Sequence, residues 1–105
     1  MQRDDDVVLV ISNAPDQQIA KRISHLLVEE GWVACVNIGA SMRSIYRWNG
    51  KICEDEEVPL MIKTTWGRHQ AAIQRLVELH PYDVPEAIVV PVLGGHAPYL
   101  SWVRE

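Results

Sequence analysis

The first regular pattern in the chain is an unbroken apolar run, Val7 to Ile11, which predicts a strand covered on both faces. Ser12-Asn13-Ala14-Pro15-Asp16 follows as a helix start, with Asn13 as cap, Pro15 in the first turn and Asp16 at the positive end of the dipole. Ile19, Ile23, Leu26 and Leu27 recur at helical spacing, and Gly31 supplies the stop. Trp32 to Ile38 is a second strand, with a kink expected at Gly39-Ala40-Ser41. Met42 to Thr64 reads as a long β-hairpin turned at Asn49-Gly50, because a type I′ turn needs φ > 0 at both central residues. A two-residue turn sets Tyr46 opposite Cys53 and Arg43 opposite Glu56. By the same register Cys35 falls near Thr64. Thr65 caps a second helix with Ala72, Ile73, Leu76, Val77 and His80 on its apolar side, ending before Pro81. His80 to Glu86 is a stiff connector, and Ala87 to Val92 is a last strand at an edge or bulge, given Pro91. Pro98 to Val103 closes the chain as a short helix with Tyr99, Trp102 and Val103 inward.

The halves 7–38 and 57–92 repeat the order strand, helix, strand. The fold class is therefore α+β: a ferredoxin-like split βαβ sandwich, an antiparallel sheet with both helices on one face, plus a long hairpin and a short C-terminal helix. Pro59 falls within a central strand and predicts a bulge or a local loss of pairing. If the incoming hairpin strand starts as early as Val33, about sixteen residues at roughly 3.3 Å each span about 50 Å. A domain of this length has a radius of gyration of about 13 Å. The hairpin then overhangs its own domain, and its tip, with Ile45, Tyr46, Trp48 and Ile52, should lie on another subunit. The sheet edge beside it needs the same cover.

Composition narrows the function. The 105 residues, 48% apolar and 23% charged, suit one domain, residues 7–105, behind a solvated, disordered start at residues 1–6. A net charge of −4 without a basic cluster argues against nucleic acid. There is no apolar run of membrane length and no secretory signal pattern, so the cytoplasm is the expected location. The two cysteines, Cys35 and Cys53, are held apart by the hairpin register and read as unpaired, buried small hydrophobes.

The motifs Ala14-Pro15-Asp16, Ala34-Cys35-Val36-Asn37, Ser44-x-Tyr46-x-Trp48-x-Gly50, Lys63-Thr64-Thr65, His80-Pro81-Tyr82-x-x-Pro85-Glu86 and Tyr99-Leu100-x-Trp102 stand in one order over residues 7–103. In that order they resemble the CutA family of divalent-cation tolerance proteins. The resemblance implies a homotrimer of ferredoxin-like subunits, each hairpin lying on a neighbour, and a link to copper and other divalent metals. Members for which copper ligation is proposed have a Cys two positions before Ala-Pro and a second His before His-Pro-Tyr. This chain has Ser12 and Leu79 there, so a thiol-based site is not expected.

Candidate chemistry is sparse. His25 and His69 read as solvated helix residues, and His96 sits in a Gly-rich loop. His80, at a helix end beside a rigid Pro-Tyr segment, is the candidate metal ligand, against a purely structural role. Glu54 to Glu57 form a solvated arm or, alternatively, a hard-cation surface. Lys63, Tyr82 and Glu86, with Tyr46 and Trp48 from another chain, are candidates to line an intersubunit cleft; a buried Lys63–Glu86 ion pair is the competing expectation. Trp32 and Trp102 read as core and Trp48 as interface. Neither a Ser-His-Asp set nor a Gly-rich phosphate loop is present. Three functions follow in order: a non-enzymatic trimer of metal tolerance that binds copper weakly, a small-molecule sensor with intersubunit clefts, and a small enzyme using Lys63, Tyr82 and Glu86.

Overall fold

Period-2 alternation decides which face of the sheet becomes core. The structure, a computed structural model, describes residues 1–105. β1 (Val7–Ala14) pairs antiparallel along its whole length with β4 (Lys51–Thr65), from Val7 opposite Thr65 to Ala14 opposite Val58. Alternate pairs, Val8 with Thr64, Val10 with Ile62, Ser12 with Leu60 and Ala14 with Val58, are all buried. Against this face pack Ala20, Ile23 and Leu27 of α1 (Gln17–Glu29) and Ala72 and Leu76 of α2 (Trp66–Leu79). On its other side β1 pairs with the short edge strand β5 (Ile88–Pro91), where Pro91 is tolerated. β4 also pairs with β2 (Cys35–Ile38) and then β3 (Met42–Trp48), giving the order β2-β4-β1-β5 with β3 continuing along β4. All pairs are antiparallel, and the fold is the expected α+β, ferredoxin-like one. α3 (Ala97–Arg104) contacts β1 and β4, and its Tyr99 meets Cys35 and Lys63.

The hairpin register is as read from the turn: Tyr46 opposes Cys53, Arg43 opposes Glu56, and both Asn49 (φ 51) and Gly50 (φ 75) are left-handed. The incoming strand is not one continuous ribbon from Val33, however. Gly39, Ala40 and Ser41 face only Val58 and Pro59, so one extra residue is bulged out between β2 and β3. That slip moves Cys35 from the neighbourhood of Thr64 to a place opposite Lys63. It also accommodates Pro59, whose missing N–H falls beside the bulge while its carbonyl accepts from Gly39 N–H at 3.0 Å. A Cβ on Gly39 would stand 2.7 Å from Pro59 Cγ, so the close approach requires glycine here.

Several local expectations change. Asp16, not Asn13, caps α1, its carboxylate accepting from Ile19 N–H at 2.8 Å, and Pro15 lies ahead of the helix. Thr65 is the N-cap residue of α2 but its side chain makes no cap bond. The helix's first N–H groups donate instead to the carbonyls of Asp6 (from Trp66, 2.8 Å) and Asp4 (from Gly67, 2.9 Å). His69 is buried and stacked on Trp66 at 4.1 Å rather than solvated, because its turn of α2 faces inward. Trp102 and Tyr99 are exposed in the single chain; Val103 alone anchors α3 in the interior. Cys35 and Cys53 are free and half-buried.

Candidate functional site

The bulge at 39–41 ends the arm where the sheet core begins, and Glu57 is the last arm residue before that core. Its cross-strand partners place Met42, Ser44, Tyr46, Asp55 and Glu57 on one face of the ribbon. The connector 80–86, stiffened by Pro81 and Pro85, closes over the same end of the sheet. Two bonds tie it to β1 and a third, between His80 and Tyr82, is internal to it. Ser12 Oγ donates to Glu86 O at 2.7 Å. His80 Nδ1 accepts the Tyr82 backbone N–H at 3.2 Å. With Nδ1 accepting, the neutral ring carries its proton on Nε2, which donates to Asn13 O at 2.7 Å. His80 is thereby buried with both nitrogens committed to backbone.

This packing assembles a polar chain at the mouth of a cleft. Asn13 Nδ2 donates to Glu57 Oε1 (3.4 Å) and Glu86 Oε1 (3.2 Å). Tyr82 OH donates to the other Glu57 oxygen at 3.1 Å. Tyr46 OH donates to Asp55. The cleft encloses about 760 Å³, and Asn13, Tyr46, Trp48, Glu57, Tyr82 and Glu86 are among its lining residues. Burial and then the bond to Glu57 push the Tyr82 hydroxyl up to about 12, and the bond to Asp55 is the main cause of a similar rise, to about 12, at Tyr46. A raised phenol pKa means the hydrogen bond stabilises the fold below the ordinary phenol range of about 10 and is lost as pH climbs toward 12. In an absorbance titration at alkaline pH, two ionisations should therefore lag that range, and Tyr82→Phe should abolish one of them. A curve for the folded protein with no late phase would contradict the Tyr82–Glu57 and Tyr46–Asp55 bonds.

Of the residues singled out in the sequence, the structure brings Tyr46, Trp48, Tyr82 and Glu86 to one cleft within a single chain. Lys63 is not among them. It lies opposite Leu9 and Cys35, donates to Asn37 Oδ1 and stands 5.9 Å over the Tyr99 ring, so no Lys63–Glu86 pair forms. The Lys63, Tyr82, Glu86 set for catalysis is therefore not assembled in one chain. Asn13 stands in the sequence only as a helix cap, and Glu57 only as part of the Glu54 to Glu57 arm, solvated or a hard-cation surface; neither is assigned to the cleft there. For Glu57 a signal existed: alternation puts it on the Tyr46 face, directly before the apolar run Val58 to Ile62.

These features define a class: a ferredoxin-like α+β subunit bearing a β-arm, with an acidic, tyrosine-lined cleft where the arm leaves the sheet. The chain belongs to the CutA1 divalent ion tolerance protein family, whose sequence model matches residues 8–105. It is 43% identical over 101 residues to the divalent-cation tolerance protein CutA of Thermus thermophilus, covering 96% of each chain. Human protein CutA is 45% identical over 91 residues, 87% of this chain and 51% of the human one. Among solved structures, CutA of Xylella fastidiosa superposes with a TM-score of 0.91 at 47% identity, covering 93% and 94% of the two chains. The periplasmic divalent cation tolerance protein CutA of Archaeoglobus fulgidus gives 0.89 at 28% identity, covering 92% and 94%.

The family name raises metal binding, and the donor set can be tested against it. No three His, Cys, Asp or Glu side chains converge as a metal ion requires. Within one chain the residues do not fit a resident metal.

Proposed function

We propose that this chain works as a homotrimeric, non-enzymatic protein of divalent-cation tolerance. The carrying observation is the arm. The β3–β4 ribbon projects with Ile45, Trp48 and Ile52 largely exposed, and a bare two-stranded ribbon is marginal in water. A neighbouring copy supplies the cover, and the family match over nearly the whole chain supports the same assembly. Absence of catalysis is supported by His80, the one imidazole beside the cleft carboxylates, whose nitrogens are both spent on backbone bonds. We take the cytoplasm as its compartment, a reading supported by two unpaired cysteines. No helix is long and apolar enough to cross a membrane.

Direct copper binding in this reading is weak and runs through His80. A metal on Nε2 displaces the bond to Asn13 O and leaves that carbonyl without its partner, at a cost of about 1–3 kcal/mol. Other donors must come from neighbouring subunits. Calorimetry should therefore show weak Cu(II) binding that weakens further in His80→Gln. Tight Cu(I) binding abolished by blocking thiols would instead place the metal at Cys35 or Cys53.

The 760 Å³ cleft favours a second reading, in which the trimer senses a small molecule held beside Tyr82 and Glu86.

A further inference from the structure

Two helix ends and the start of the chain are tied together at one corner of the molecule. α2 has no side-chain cap and no acidic residue in its first turn, so its first two N–H groups rely on the backbone ahead of β1. Asp6 O accepts from Trp66 N–H at 2.8 Å and Asp4 O from Gly67 N–H at 2.9 Å. Between them Asp5 O accepts from Arg104 Nε of α3 at 2.7 Å. Arg68, in the first turn of α2, reaches back to the end of α3. Its Nη2 donates to the carbonyl oxygens of Val103, Arg104 and Glu105, at 3.3, 3.0 and 3.2 Å. The bonds close a ring: α2 to residues 4–6, these to α3, and α3 back to α2. Residues 3–6 are shaped for it by their own turn, in which Asp6 N–H donates to Arg3 O at 3.0 Å and Arg3 N–H to the Asp6 carboxylate at 2.9 Å. The approach is close, since a Cβ on Gly67 would stand 3.0 Å from Asp4 O.

α3 depends on this ring. Its 8 residues fall short of the roughly 12–15 at which an isolated helix is even marginal in water. Val103 is its one buried side chain, and Tyr99 and Trp102 are exposed. Both arginines of the ring lie at its C-terminal end, where the helix dipole favours positive charge. α3 in turn holds Tyr99 against the sheet, its hydroxyl 3.7 Å from Cys35 Sγ and its ring beneath the Lys63 ammonium. Neither α3 nor residues 1–6 contribute to the main core cluster, which β1, β4, α1 and α2 build around Val10 and Ile62. Opening the ring therefore leaves that core intact.

We propose that α3 is a latch over the Cys35–Lys63 end of the sheet and that residues 3–6 are its clasp, the two releasing as one unit while the core stays folded. The proposal rests neither on the trimer nor on metal binding. Amide hydrogen exchange on the intact protein tests it. Shortening the chain to a single Met ahead of Val7 removes the carbonyls of Asp4 and Asp5. Exchange at Leu100 to Val103 in α3 should then accelerate by at least about tenfold, with Val10 and Ile62 unchanged. Arg104→Gln breaks the ring from the other side and should accelerate exchange at Gly67, far away in sequence, because coupling between two sites is reciprocal. Arg22→Gln, at an exposed arginine of α1, removes the same charge and should alter neither. In a Cys53→Ser background, Cys35 should react faster with a thiol reagent in the shortened chain, since Tyr99 leaves with α3. Acceleration confined to the altered end in each variant would mean independent contacts and overturn the proposal. Equal acceleration at Val10 and Ile62 would reduce the effect to general destabilisation and overturn it too, as would an unchanged Cys35 rate.

Discussion

Ile45→Asp combined with Trp48→Asp is expected to convert the proposed trimer into folded monomers. In the single chain these side chains are 64% and 56% exposed, and Ile52, across the ribbon, is 63% exposed. Fully burying a large apolar side chain is worth about 1.5–3 kcal/mol, and three symmetric arms multiply that gain. Two aspartates per arm remove the gain and place charge where apolar surface should meet. The arm lies outside the buried core, which is built from β1, β4, α1 and α2 around Val10, Ile23, Leu60 and Leu76. Each subunit should therefore keep its fold. Native mass should fall from three times the 11.9 kDa subunit to one, with the far-UV circular dichroism of the helices retained. A wild-type protein already running as a monomer would remove the basis for the assembly altogether.

Leu76→Ala should destabilise the protein severely, while Val77→Ala beside it should do almost nothing. The two share one apolar-looking stretch of α2, but Leu76 is 1% exposed and Val77 44%. Leu76 belongs to the contiguous core with Ala72, Leu27 and Ile62. Truncating a fully buried leucine costs about 2–5 kcal/mol, from lost transfer energy and the cavity left behind. Exposed positions away from special features change stability by about 0.5 kcal/mol or less. Urea unfolding at one fixed protein concentration reads both, since the proposed assembly would link stability to concentration. Comparable losses in the two variants would mean that α2 presents a different face to the sheet.

The fold was legible because most of it is written in local chemistry. Asn49-Gly50 can take φ > 0 at both positions, and that turn alone set the pairing of Tyr46 with Cys53. Gly31 ended α1 and Pro81 ended α2 as their backbone restrictions require. The site was half legible. Tyr82 and Glu86 stand out in the sequence as polar groups flanking apolar runs, with Tyr46 and Trp48 expected from another chain; all four line one cleft of the single chain. Lys63 was picked by the same rule and sits elsewhere, because the rule does not say which side of the sheet a residue occupies relative to a loop far away in sequence.

What the sequence by itself determined was therefore the order of elements, the hairpin register near its turn, the sheet's buried face and the family. Each depends on periodicity, turn chemistry or capping within a few residues. What only the tertiary structure decided was where polar groups from distant segments meet. The extra residue bulged at 39–41 shifts Cys35 by one pairing position, and its effect appears only against β4. Asn13 became a bridge between two carboxylates because Asp16 took the cap and the connector 80–86 folded over the end of β1. Glu57 is buried although its neighbours Glu54 to Glu56 are exposed, because its position in the strand sets it beneath Tyr82. Burial of a charged group is a property of what covers it, and the cover here comes from a segment more than twenty residues away.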